Sequence, residues 1–184
     1  MTKAIFATLF LTLVPASASA QAFVIGGGMA KDCYTKVRDG SDTFRSLERL
    51  CTQALQQEAL TPTNKAATYV NRGIARMRAE RYDSAIEDYE RAISFSEDLG
   101  AAYLNLGAAL IFQRRYDEAL APLDKSITLE SQDLFAAHYN RAIAREQSGD
   151  IEGAYEDFLR STELKPEWDL ARRQLDRFTV TTTN

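Results

Sequence analysis

Two cysteines, one histidine, a glycine triplet and several acidic pairs are the residues of this chain whose types and spacing could do chemistry. Cys33 and Cys51 could form a disulfide, a reactive thiol pair or part of a metal site. Redox and metal-binding thiols need close Cys spacing or neighbouring histidines, and neither is present, so a structural cross-link is expected. His138 is the sole histidine. General-base work would require a nucleophile or acid positioned beside it, and the sequence reads it as a packing residue. The pairs Glu87-Asp88, Asp117-Glu118 and Glu156-Asp157 recur at a nearly constant interval. Such recurrence predicts solvated helix faces rather than one paired-carboxylate site. Gly26, Gly27 and Gly28 could cradle a phosphate, but no β-branched strand precedes them and no Lys-Ser/Thr follows. Residues 21–28 are therefore expected to be a flexible linker. No catalytic, cofactor-binding or metal-ligating residue is expected.

The elements that must position these residues are helical. Ala30, Cys33, Tyr34 and Val37 form one amphipathic pattern that stops at Asp39-Gly40, and Phe44, Leu47, Cys51 and Ala54 form a second, opened by Ser41-Asp42 as a candidate cap. Two antiparallel helices turning near 40–42 would set each cysteine roughly 10 to 14 Å from the turn, at about 1.5 Å per residue. The thiols would then face each other. A bond closing a loop of this size stabilises by about 3 kcal/mol in the chain-entropy model.

The chain opens with Lys3, an apolar run over 4–14, Pro15, and Ala18, Ser19 and Ala20. This is the pattern of a secretory signal peptide over 1–20, cleaved after Ala20. The run is too short for the roughly 20 residues that span a bilayer, so no membrane span is expected. An exported location, the bacterial periplasm, also suits a disulfide. Without Lys3 the chain carries 21 basic against 26 acidic residues, a balance with no drive toward nucleic acid or an anionic membrane surface.

Beyond residue 65 the chain repeats itself. Gly73, Gly107 and Ala142 lie 34 and 35 residues apart, and so do Ala85, Ala119 and Ala154, and Tyr82, Tyr116 and Ile151. A helical period in this range predicts a solenoid whose units must stack to bury their apolar faces. Small residues mark close helix crossings within a unit, while Tyr82 is expected to fill the turn and Tyr89 the space toward the next unit. Three units are expected, over 66–99, 100–134 and 135–168, after a cross-linked helical hairpin over 29–62. An amphipathic capping helix over 167–178 places Trp168, Ala171, Leu175 and Phe178 on one face and Arg172, Arg173, Asp176 and Arg177 on the other. Residues 179–184 are expected to be a frayed tail.

The segments AYLNLGAAL and RYDEAL carry the order aromatic, Leu-Gly, Tyr, Ala most fully, and the chain resembles the tetratricopeptide repeat family over 66–168. Arg72 and Arg141 depart from the family's leucine, Ala142 from its glycine, and Glu97 and Ser131 from its inter-unit proline. The resemblance implies an all-α, right-handed solenoid whose first helices line a concave groove for a protein or peptide, with no cofactor and with the chain a monomer. It points Val70, Ile74, Met77 and Arg78, then Leu104, Ala108, Ile111 and Phe112, then Tyr139, Ile143, Glu146 and Gln147 into that groove. Asn71, Asn105 and Asn140 match a recurrent asparagine column. The lysines with which some relatives clamp a C-terminal carboxylate have no counterparts here. Two readings of the apolar set stay open, a hydrophobic groove for a partner segment or packing between neighbouring helices. The implied function is a noncatalytic scaffold or adaptor. The alternative is an accessory subunit of envelope biogenesis that docks through its convex face or C-terminal helix.

Overall fold

A computed structural model describes residues 2–7 and 22–183 of the chain. The expected apolar run and cleavage site fall mostly outside them. Nine helices follow one another among the described residues: α1 (Met29–Asp39), α2 (Phe44–Gln57), α3 (Pro62–Arg78), α4 (Tyr82–Phe95), α5 (Gly100–Phe112), α6 (Tyr116–Thr128), α7 (Leu134–Gln147), α8 (Ile151–Leu164) and α9 (Asp169–Leu175). They form an α-solenoid of stacked pairs. Helix α3 packs on α4, α5 on α6 and α7 on α8, while α4 against α5 and α6 against α7 join the pairs. None of the described helices is long and apolar enough to cross a membrane.

Local chemistry sets the boundaries. Thr61 accepts a hydrogen bond from the Asn64 amide and Pro62 opens α3, satisfying a donor that the first turn would otherwise leave unpaired. Asp150 does the same for Gly153 at the start of α8. The cap of α2 is Thr43, one residue past the expected Ser41-Asp42, because Asp42 instead accepts from the Thr43 amide and the Ser46 hydroxyl. The three pair-internal turns use one device. Glu80, Arg114 and Gly149 follow the first helix of each pair with φ of 59°, 60° and 91°, and the left-handed conformation reverses the chain there.

Close helix crossings explain the glycine column. A Cβ on Gly73 would come 2.5 Å from the Tyr89 ring, and one on Gly107 would come 2.5 Å from Leu123 Cγ. Tyr89 therefore fills space inside its own unit, on Gly73, rather than toward the next unit. Cys33 and Cys51 are bonded between α1 and α2, with Cα atoms 5.1 Å apart and both residues fully buried.

The tail departs from expectation. Phe178–Thr183 is a strand, β2, paired antiparallel with β1 (Thr2–Ala7), with Ile5 opposite Val180. A run of Thr and Val suits a pleated strand once a partner exists. The partner lies about 170 residues away in sequence, which is why local patterning read the tail as frayed. The capping helix is also shorter than expected and ends at Leu175.

Candidate functional site: the concave face

Helices α3, α5 and α7, the first of each pair, contact one another along one side of the stack. Their inward positions are covered. Val70, Asn71, Ile74, Leu104, Asn105, Ala108, Ile111, Tyr139, Asn140, Ile143 and Glu146 are buried, Met77 and Phe112 are half-buried, and only Arg78 and Gln147 are exposed. Several have assignable neighbours. Phe112 stacks on Tyr82 with ring centroids 5.3 Å apart, Arg78 donates to the Val37 carbonyl at the end of α1, and Glu146 pairs with Arg177 at 2.5 Å. Arg177 thus turns inward, contrary to its expected place on the polar face of the cap. Tyr139 lies under Trp168 with centroids 4.8 Å apart, and burial pushes its hydroxyl up to about 12 although Gln174 bonds to it.

The chain's own residues 22–25 cover the α3 end of this face. Asn71 Nδ2 donates to the Ala22 carbonyl at 3.0 Å, Asn64 Nδ2 donates to the Ile25 carbonyl at 2.7 Å, and the Ile25 amide donates to Asn64 Oδ1 at 3.1 Å. Exposure alternates along the segment: Ala22 and Val24 are 3% and 1% exposed, Phe23 and Ile25 59% and 70%. Period-two alternation is how an extended segment lies on a surface. The expected flexible linker is therefore ordered over 22–25, and the main chain is held by side-chain amides. Sequence reading missed Asn64, Ala22 and Val24; the apolar stretch QAFVI was visible, but nothing local says which surface it meets.

A second polar feature lies within the first and third pairs and reaches the helix that precedes each. Asp88, 1% exposed, accepts a bidentate pair of bonds from Arg72 at 3.0 and 2.6 Å and an ion pair from Arg76 at 3.0 Å. The same arginines reach Thr52 and Glu48 on α2. Asp157, 3% exposed, repeats the arrangement with Arg141 at 2.7 Å, Arg145 at 2.9 Å and His138 at 2.7 Å, while Arg141 also reaches Asp124 on α6. These two acids are not on solvated faces as expected, and His138 is a hydrogen-bond partner of Asp157 rather than plain packing. The arginines standing where the family has leucine carry carboxylate partners of the same period. In the middle unit Leu106, Leu110 and Pro122 occupy the equivalent places, so the network has no counterpart at those positions.

Burial pushes the Asp88 carboxyl up despite its two arginines. It pushes on Asp157 too, but Arg141, His138 and Arg145 together outweigh it and hold that carboxyl below its ordinary range. Each acid is consumed by donors that tie one pair to the next, so the networks hold the stack together and offer no free base. No cluster of potential metal ligands occurs among the described residues.

Tetratricopeptide repeat models match residues 64–132 and 135–167, more than half of the chain. The chain belongs to the tetratricopeptide repeat family. Solved structures of MamA are similar to it: one from Desulfovibrio magneticus RS-1 is 21% identical, covers 81% of this chain and 82% of its own, and gives a TM-score of 0.67; another is 20% identical, with 82% of each chain covered and the same TM-score. YrrB, described as a TPR protein with an unusual peptide-binding site, is 18% identical over 77% of this chain and 71% of its own, with a TM-score of 0.61. At these identities the likeness establishes the fold. No curated protein matches the chain. A repeat stack of this kind is a protein-interaction scaffold, and this member carries a disulfide at its N-terminal end.

Proposed function

We propose that this tetratricopeptide repeat protein is an exported, noncatalytic adaptor that holds an extended segment of a partner protein on its concave face. One observation carries the reading: Asn64 and Asn71 on α3 bond to main-chain groups of a segment lying there, at residues 22 and 25. Main-chain recognition is what lets a groove accept an extended segment, with side-chain pockets adding selectivity. The peptide-binding site named for YrrB is consistent with it. Val70, Ile74, Leu104, Ala108 and Ile111 are buried and pack beneath this face, backing the helix that presents Asn64 and Asn71. Export to the periplasm, with cleavage after Ala20, belongs to the same proposal; the disulfide supports it. Processing would also remove β1, so the pairing with β2 belongs to the unprocessed chain.

The alternative surface is the C-terminal helix. Its exposed Arg172 and Arg173 are both engaged by Asp169 on the same helix, which leaves them less available to a partner. The deciding experiment is capture from envelope extract by wild-type protein, by Asn64→Ala/Asn71→Ala and by Arg172→Glu/Arg173→Glu. The groove reading expects loss of capture in the asparagine variant alone; loss in the arginine variant alone would transfer the function to the cap. Sequencing the N-terminus of protein from the exported fraction tests processing, and any start other than Gln21 would overturn it.

A further inference from the structure

Residues 22–25 have the features of an occupant that can leave. Gly26 and Gly28, with φ of 108° and 92°, follow the segment, and a Cβ at Gly26 or Gly27 would meet nothing within 4 Å. The chain is therefore unhindered at the joint. Beyond it the Glu58 carboxylate accepts from the Met29 and Ala30 amides, which fixes the start of α1, so the segment can swing without moving the helix. The seat is also imperfect: among the described residues the buried Asn71 Oδ1 has no hydrogen-bond partner, a position that costs free energy until a donor arrives. An incoming strand with an N–H at that point would satisfy what the resident segment does not.

Resting on the groove reading above, we infer that 22–25 is a built-in competitor, displaced by a partner segment of the same chemistry. That partner is an extended, uncharged peptide with small aliphatic side chains two residues apart, the spacing of buried Ala22 and Val24, and its main chain meets Asn64 and Asn71. A tether of a few residues gives the resident segment an effective concentration on the order of millimolar. Only partners that bind well, or are themselves held nearby, would displace it.

The test uses a fluorescently labelled peptide of sequence QAFVIGGG and the protein as isolated, wild type and Val24→Asp, with helicity checked by circular dichroism. A charge at residue 24 should expel the resident segment, so the variant should bind the peptide at least about tenfold more tightly by anisotropy, in line with removal of a tethered competitor. The same peptide carrying Asp in place of Val24 should not bind. Independently, hydrogen exchange at the Ile25 amide should be slow in wild type, fast in Val24→Asp, and accelerated in wild type by saturating peptide. Equal affinity in both proteins, no binding to a fully helical variant, or loss of helicity in the variant would each overturn the inference. If those fail while Asn64→Ala/Asn71→Ala still loses capture from extract, the groove reading survives alone; if the asparagine variant also captures normally, both fall.

Discussion

Asp88 and Asp157 stand in the same repeat position and face arginines of the same column, yet their carboxyls shift in opposite directions. Asp157 has an extra hydrogen-bond partner, His138 at 2.7 Å, whereas Asp88 has the like charge of Glu48 nearby. Because the Asp157 carboxyl is held low in the fold, its contribution to stability is present above the ordinary carboxylate range and is lost as pH falls through the lowered value. Asp88 has the opposite sign: its fold favours the proton, so stability falls as pH rises from the ordinary value through the raised one. Urea melts of Asp157→Asn and Asp88→Asn between about pH 3 and 6 should therefore change the pH slope in opposite senses. Asp157→Ala should cost about 1.5 to 3 kcal/mol at neutral pH, since it removes the charged hydrogen bonds of the half-buried Arg141 and Arg145. Gly107 belongs to this scale as well. Gly107→Val would drive a branched side chain into Leu123, and a loss of about 1 to 3 kcal/mol or more is expected from thermal melting.

Turns and hairpins set the next scale. Arg114 holds a left-handed φ of 60° where the third pair uses Gly149. An L-residue there costs about 1 to 2 kcal/mol, partly offset by glycine's larger entropy in the unfolded chain. Arg114→Gly should accordingly raise stability by about 0.5 to 1 kcal/mol in denaturant melts, a gain that disappears if the left-handed turn is absent in solution. The α1/α2 hairpin depends on Cys33–Cys51 and on Arg72 and Arg76 reaching Thr52 and Glu48. Reduction, or Cys33→Ser with Cys51→Ser, should lower the melting temperature and speed hydrogen exchange in α1 first, with a loss of about 3 kcal/mol for a loop of this size. Unaltered exchange in α1 would mean that the arginine ties alone hold the hairpin in place.

At the scale of the whole molecule, stability passes from neighbour to neighbour, as it must in a stack, and the ends meet different fates. Paired with β1, β2 closes the chain on itself; without residues 1–20 it has no partner among the described residues, and a lone strand is not stable. Amide exchange over 179–182 should be slow in unprocessed protein and fast in protein beginning at Gln21. The repeat columns determined the solenoid from sequence, because Gly73, Gly107 and Ala142 answer to contacts within a few dozen residues and recur with the period of the fold. The helical hairpin and its disulfide were legible for the same reason: Cys33 and Cys51 sit on adjacent helices joined by a short turn. Sequence could not say whether a polar residue at a helical position faces water or a buried partner, and so misplaced Asp88, Asp157 and Arg177, whose partners come from other helices. Nor could it tell whether the α3 end of the first-helix face is open or covered. That was decided by residues 22–25 folding back on Asn64 and Asn71, about 40 to 50 positions along the chain, through main-chain contacts that leave no trace in side-chain pattern.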